Sequence, residues 1–300
     1  MLHVKDLFLQ DNTFLKVRQE SVKALLKDPM IQSLVQKHQL TSTDVSNNWA
    51  DFLSYQSDAV PCSTCRSFYD CPKVSKGMRC KVDIVDRNVH LSLTPCHFGK
   101  ERLEEDLIKS RILLCNVDKK VVLTKTSDIQ KLMKKEGIAN AFASLDKYLQ
   151  NPTTKGIYLY GGLETGKSLL MGWLMRQLVK QGATCGFIHF PTYLMDLKNS
   201  FGEDGVAENL ALLKSVDYLV IDDLGNENVT SWSRDEILSA MLSYRMQSGK
   251  TTFFTSAYSL TELGTVYTQK NSDALKVKQL LKRMQSICDI VPIVGKSKQL

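Results

Sequence analysis

The strongest chemical signal in this chain is Gly161-Gly162-Leu163-Glu164-Thr165-Gly166-Lys167-Ser168. It fits the phosphate-binding pattern G-x-x-x-x-G-K-[ST] at every fixed position. Glycines let the backbone turn tightly, so that successive N–H groups point into one concavity. An apolar run, Ile157 to Tyr160, leads into the loop, and a helical pattern over Ser168–Lys180 leaves it. The N-terminus of that helix adds positive potential where the phosphates of ATP would lie. Lys167 is then the group that reaches the β- and γ-phosphates, and the Ser168 hydroxyl is a ligand for Mg²⁺.

Such a loop needs a carboxylate from the end of a second strand. Tyr218-Leu219-Val220-Ile221-Asp222-Asp223 supplies an apolar run closed by two acids. Asp222 is expected to hold Mg²⁺, and Asp223 to polarise the attacking water as general base or orienting group. The plainer reading of Asp222 is a turn cap at a strand end; the accompanying loop favours the metal-holding role.

Five of the eight cysteines, Cys62, Cys65, Cys71, Cys80 and Cys96, fall in one short stretch. Cys62-Ser63-Thr64-Cys65 has the C-x-x-C spacing that puts two thiolates on one Zn²⁺. A structural zinc takes four ligands in a closed tetrahedron. Cys62 and Cys65 are the first pair and Cys96, after Pro95, is the distal ligand. The fourth is open between Cys71 and Cys80, with His90 and His97 also within reach. A redox pair or idle thiols are the alternative. A redox C-x-x-C opens a helix beside a βαβ pattern, whereas this one follows Pro61 in a loop. Cys115, Cys185 and Cys288 lie among apolar residues and read as small core side chains.

These groups need elements to position them. The first 60 residues read as helices. Val17, Val22, Leu25 and Leu26 have helical spacing, Asp28-Pro29 is a cap followed by proline at the first helical position, and Thr41 with Asp44 forms a capping box opening a helix through Trp49, Phe52 and Leu53. Residues 61–98 carry strand-like patches at Val82–Val85 and Val89–Leu93, with little to fill a core. Such a short segment needs a staple, which the cysteines supply through the metal. Residues 99–125 read as a linker. Ser127 caps a helix that stops at Gly137. From 126 to 300 strands (Gly156–Tyr160, Thr184–His189, Tyr218–Ile221, Thr251–Ser256) alternate with helices (Ser168–Lys180, Trp232–Gln247). That alternation predicts an α/β fold, a parallel sheet flanked by helices, behind a small helical and zinc-binding N-terminal part.

Composition sets the outer bounds. The 300 residues suffice for two domains; 43% hydrophobic and 24% charged residues exclude a disordered or fibrous chain. Thirty-nine Lys and Arg against 32 Asp and Glu leave a charge of +7, which permits nucleic-acid contact without requiring it. No window approaches the roughly 20 apolar residues of a membrane span. Met1–Gln10 carries His3, Lys5 and Asp6 among its apolar residues, so a cytoplasmic protein without membrane contact is expected.

Together with the phosphate loop, Tyr158-Leu159-Tyr160-Gly161, Asp222-Asp223-Leu224-Gly225, Trp232-Ser233-Arg234-Asp235-Glu236, Tyr244-Arg245-Met246 and Phe253-Phe254-Thr255-Ser256 resemble the bacterial replicative helicase loaders of the DnaI type, AAA+ ATPases related to DnaC and DnaA. The resemblance is firm over about 125–300 and looser over the front half, where such loaders carry a zinc-bearing, helicase-binding domain. It implies ATP binding and hydrolysis, docking on the hexameric replicative helicase, contact with single-stranded DNA and self-association through the AAA+ domain. It implies Arg283 as an arginine finger for a neighbouring subunit, for which a solvated helix face is the bland alternative. It also implies Cys80 as the fourth zinc ligand, in Gly77-Met78-Arg79-Cys80, with Cys71 as the rival. Two positions depart from the family. Ala257 stands where an Asn is usual, leaving Ser256 to contact the γ-phosphate, and Lys298 replaces a distal Arg, keeping the charge but losing the bidentate fork. Both departures point to slow turnover. They keep alive an adaptor or inhibitor that occupies the helicase without loading it. A zinc-dependent DNA-binding regulator that senses nucleotide is the other alternative, although the cysteine stretch lacks a basic recognition helix.

Overall fold

The computed structural model describes residues 12–134, 137–199 and 205–293. The chain divides into two compact units, 1–104 and 105–300.

In the front unit four helices, α1 (Asn12–Leu25), α2 (Pro29–His38), α3 (Ser42–Asn47) and α4 (Trp49–Ala59), precede an antiparallel hairpin of β1 (Met78–Val85) and β2 (Asn88–Pro95). Asp28 caps α2 by accepting from the Met30 and Ile31 amides at 2.8 and 3.1 Å, with Pro29 at the first helical position. Thr41 and Asp44 form the expected capping box. The expected single helix beyond Thr41 is broken at Asn48. The Asn48 amide donates to the carbonyls of Asp44 and Arg87 and accepts from Val89 N–H at 3.0 Å, fastening the hairpin to the helices. The buried core, Leu25, Ile31, Leu40, Val45, Phe52 and Val89, has Val82, Ile84 and Leu91 packed against it. The hairpin therefore shares the helices' core.

The rear unit is a six-stranded parallel sheet in the order β3-β5-β6-β7-β4-β8. Its strands are β3 (Ile112–Cys115), β4 (Gly156–Gly161), β5 (Cys185–His189), β6 (Tyr218–Leu224), β7 (Thr251–Ser256) and β8 (Cys288–Ile293). The expected strands are present, and two more are added. The supposed linker 99–125 is helix α5 (His97–Arg111), edge strand β3 and helix α6 (Lys119–Val122). Its apolar residues are too few to announce a strand, because β3 has a single neighbour. Cys115 is exposed there, while Cys185 and Cys288 are buried as expected. The helix placed at Ser127–Gly137 is α7 (Thr126–Leu132), opened by the Asp128 carboxylate accepting from Lys125 N–H at 3.0 Å; Gly137 instead precedes α8 (Ile138–Gln150).

Side-chain alternation divides the sheet's burial between its faces. Ile157, Leu159, Phe187, Val220 and Phe253 pack with α8 and α9 (Lys167–Lys180). Tyr158, Ile188, Leu219, Ile221 and Phe254 pack with α10 (Phe190–Asn199), α11 (Gly205–Ser215), the π-helical segment Trp232–Ser239, α12 (Ala240–Gln247), α13 (Leu260–Tyr267) and α14 (Ala274–Ile287). No helix among the described residues is long and apolar enough to cross a membrane.

The strand starts are clamped by polar groups. Arg245, fully buried, donates to the carbonyls of Leu213, Val216, Asp217 and Thr251 and to Thr252 Oγ1, at 2.6–3.3 Å. The Asp217 carboxylate accepts from Lys250 Nζ at 2.7 Å and from Thr184 N–H and Oγ1 at 3.0 and 2.7 Å. Burial opposes its ionisation, but the Lys250 and Thr184 bonds outweigh that and hold the pKa down, at about 2 against an ordinary 3.8. A lowered folded-state pKa stabilises the fold above the unfolded value, and this contribution is lost as pH falls toward the folded one. Denaturant midpoints of wild type and Asp217→Asn are therefore expected to differ above about pH 4 and to converge as pH falls to about 2. A gap that stays constant over this range would contradict the clamp.

Candidate nucleotide site

The site lies at the carboxyl ends of β4, β5, β6 and β7, where open parallel sheets place their ligands. The loop between β4 and α9 runs through Glu164 (φ +56°) and Gly166 (φ +94°), left-handed conformations that fold it into a cradle. A Cβ on Gly166 would also come within 3.5 Å of Leu132, so α7 and α8 back the loop closely. Lys167 Nζ donates to the carbonyls of Gly161 and Gly162, each at 2.8 Å, and Thr165 Oγ1 donates to Gly162 at 3.0 Å. Leu163 is exposed at the tip. Burial lowers the Lys167 pKa, against the pull of Asp223 and Asp222.

The two acids of β6 part company. The β6–β7 register shifts between Ile221 and Leu224, and Asp223 takes a left-handed conformation (φ +62°). Such a bulge re-aims side chains. Asp222 is buried and accepts from Ser168 Oγ at 2.9 and 3.0 Å and from Thr255 Oγ1 at 2.6 Å. Burial raises its pKa, although these bonds oppose the rise. Asp223 is half exposed, with His189 Nε2 at 3.5 Å and Asn226 Nδ2 at 2.6 Å. The His189 contact is the main reason that its pKa is lowered, and the same contact raises that of His189.

Ser168 and Asp222 thus stand together as oxygen donors of the hard type that suits Mg²⁺. Thr255, and not Ser256, is the β7 residue that meets the acids. Its hydroxyl donates to Asp222 and accepts from Asp223 N–H at 2.9 Å. Ser256 points the other way, donating to Leu224 O at 2.6 Å and accepting from Tyr258 N–H. The Ser256 side chain is turned from the acids because alternation along the strand sends successive side chains to opposite faces. Arg283, on α14, donates to Ser239 O and Oγ at 3.0 and 2.8 Å within the same chain. Lys298 lies outside the described residues.

His189 and Asn226 were missed from sequence. His189 had a readable signal: it is a polar residue closing the strand that runs beside the acidic one. Asn226 follows the acids in a turn and carries no signal of its own.

The cysteines come together partially. The thiols of Cys65 and Cys71 are hydrogen-bond neighbours, and Cys62 acts on Cys65. Cys71 accepts from the Gly77 and Lys73 amides, which lower its pKa. Cys96 accepts from Gly99 N–H at 3.4 Å, and its own N–H donates to Gly77 O at 2.8 Å. A Cβ on Gly99 would lie 1.9 Å from Gly77 O, so only glycine permits this approach. Cys80 N–H binds Asp58 at 2.7 Å, and burial, with Asp58 beside it, raises the pKa of its thiol. Cys71 thus lies beside Cys65, while Cys80 shares a pocket with Cys62. Among the described residues, no group of three or more His, Cys, Asp or Glu is placed to hold a metal ion. The donor chemistry suits zinc, but this geometry does not assemble a zinc site.

Residues 130–300 match the IstB-like ATP binding protein family, and the chain belongs to it. The resemblance to the DnaI-type loaders extends over nearly the whole chain. The chain is 22% identical over 295 residues to the replicative helicase loader DnaI of Bacillus subtilis (strain 168), covering 95% of this chain and 94% of that one. A crystal structure of DnaI matches at a TM-score of 0.54 and 24% identity over 64% of this chain and 99% of that one. A Streptococcus pyogenes serotype M3 protein described as a primosome component matches at 0.53 and 27%, over 64% and 98%.

Thr255→Val is expected to weaken Mg²⁺-dependent ATP binding by roughly tenfold, since a hydrogen bond to a charged group contributes about 1.5–3 kcal/mol. Ser256→Ala should weaken it less. Titration calorimetry with ATP and Mg²⁺ distinguishes them, and the reverse order would restore Ser256 as the site residue.

Proposed function

We propose that this chain is an ATP-dependent loader of the replicative DNA helicase, acting in the cytoplasm during initiation or restart of DNA replication. The observation that carries this reading is the similarity to DnaI, which runs through the front unit as well as the ATP-binding unit. The front unit docks on the hexameric helicase. The rear unit binds ATP, engages single-stranded DNA and associates with its neighbours. Zinc belongs to the same reading as a structural ion of the front unit, with Cys62, Cys65 and Cys96 among its ligands and Cys80, or its rival Cys71, as the fourth.

ATP hydrolysis follows from the site residues. The loop amides and Lys167 bind the phosphates. Ser168 and Asp222 would hold Mg²⁺, and the ion when bound would supply neutralisation of phosphate charge. Thr255 orients Asp222. Asp223 accepts a proton from the attacking water as the water oxygen bonds the γ-phosphorus and the bond from that phosphorus to the β–γ bridging oxygen breaks, so that ADP leaves. Arg283 would serve a neighbouring subunit after giving up Ser239, since a guanidinium adds transition-state charge stabilisation only where it reaches the phosphates.

The adaptor reading keeps one specific support: β7 ends in Ser256, turned to Leu224, followed by Ala257, which has no hydrogen-bonding side chain.

Co-purification with the replicative helicase, followed by mass measurement with and without ATP, tests the reading. A stable complex is expected, and no complex in either condition overturns it. Lys167→Ala should abolish ATP turnover and leave helicase docking intact; a folded variant that no longer docks would contradict the division of labour. One equivalent of zinc is expected in the purified wild type and none in Cys62→Ser, with loss of front-unit helicity. A metal-free wild type removes zinc from the reading.

A further inference from the structure

Glu227 is a buried acid that neither the phosphate loop nor the acid pair employs. A carboxylate is costly to bury, so its partners show what it is there to hold. Its Oε2 accepts from Gly225 N–H at 2.7 Å, and its Oε1 accepts from the Tyr267 hydroxyl at 2.6 Å. Tyr267 is fully buried at the end of α13. The Tyr267 carbonyl accepts from Arg234 Nη1 at 3.1 Å, so the far end of the pair is fixed as well. Burial raises the Glu227 pKa, and the donors on its oxygens oppose that rise.

What Glu227 grips is the turn that carries Asp223. Asp223 and Gly225 are both left-handed, at φ +62° and +97°, with Leu224 between them. Such a conformation in a residue other than glycine persists only where its surroundings hold it. Successive backbone groups of this turn are held one after another. Asp223 N–H donates to Thr255 Oγ1 at 2.9 Å, and Leu224 O accepts from Ser256 Oγ at 2.6 Å, both from β7. Gly225 N–H has Glu227, and a charged acceptor makes the stronger kind of bond. A Cβ on Gly225 would lie 2.7 Å from Leu263 and 2.9 Å from Tyr258. The turn is thus pressed against α13 while Glu227 ties it to the end of the same helix.

We propose that Glu227 is a positioning residue for ATP hydrolysis: anchored by Tyr267, it fixes the turn that presents the Asp223 carboxylate to the attacking water. The proposal rests on the reading of Asp223 as the group that activates water. It gives Glu227 no contact with ATP or with that water; the effect passes through Gly225. Loss of the bond therefore leaves nucleotide binding in place and slows the chemical step.

Single-turnover ATP hydrolysis by the full chain tests this, with nucleotide affinity measured by fluorescent ATP titration. Glu227→Ala is expected to hydrolyse bound ATP about tenfold more slowly, as loss of a hydrogen bond to a charged group allows, with ATP affinity within about twofold of wild type. Glu227→Gln should recover most of the lost rate, because its amide oxygen still accepts from Gly225 N–H and its amide N–H can meet the Tyr267 oxygen. Tyr267→Phe, which loosens Glu227 without touching the turn, should fall in between. A Glu227→Ala variant that binds ATP and keeps the wild-type rate overturns the proposal. So does one whose affinity and rate fall together, which describes a merely structural role. A Glu227→Gln variant no faster than Glu227→Ala overturns it too. If Glu227→Ala does not fold, Tyr267→Phe decides: a slower rate at unchanged affinity supports the anchor, and a wild-type rate overturns it. Asp223→Asn reports separately on the underlying reading. If it hydrolyses ATP as fast as wild type, or if wild type hydrolyses none, that reading fails and the proposal falls with it. A slow Asp223→Asn beside an unaffected Glu227→Ala removes the proposal alone.

Discussion

The nucleotide site depends on a single slip in strand register. Between Ile221 and Leu224 β6 loses step with β7, and Asp223 adopts a left-handed conformation. Without that slip the two adjacent carboxylates would follow plain strand alternation, with one sent to each face. With it, Asp222 meets Ser168 and Thr255 in the buried part of the cleft, while Asp223 stays at the mouth against His189 and Asn226. The environments then diverge in the way two different tasks require. Burial holds back ionisation of one acid, and hydrogen bonds favour it in the other. The Thr255 hydroxyl stabilises the slip, since it bonds the side chain of one acid and the backbone of the next.

The opposite end of the sheet, at the strand starts, explains why some motif residues are absent from the site. Arg245, within the Tyr-Arg-Met run, satisfies four carbonyls and a hydroxyl at the strand starts. Buried carbonyls left without donors cost free energy, so a guanidinium with five N–H groups suits that place. Arg234 is likewise buried, binding Asp235, Asp273 and the carbonyl of Tyr267. Tyr267 in turn donates to Glu227, which accepts from Gly225 N–H just past the acids. These charged motif residues hold the frame. The chemistry stays at the carboxyl ends, where strands, loop and helix N-terminus converge.

The front unit reaches stability by another route than the cysteines alone suggest. Asn48 links helices and hairpin through three hydrogen bonds, and Val89 enters the helical core. Burying side chains of this size contributes about 1.5–3 kcal/mol each, so the hairpin has an apolar anchor beside any metal. The close approach of Gly77 and Gly99 brings Cys71 and Cys96 into the same backbone network, while Asp58 holds the Cys80 backbone on the side of Cys62.

Local rules made much of this protein readable in its residues. The phosphate loop, the acid pair, the capped front helices and four of the parallel strands each follow from short-range patterns of glycine, charge and apolar spacing. Edge strand β3, strand β8 and the helical nature of 97–111 did not follow, because an edge strand lacks a continuous apolar run and a charged helix lacks a clear stripe. That Thr255 rather than Ser256 meets Asp222, that Cys71 neighbours Cys65, and that His189 faces Asp223 are visible only in the tertiary structure. Each depends on which way a side chain points once strands distant in sequence lie side by side, and a register slip of one residue reverses that direction.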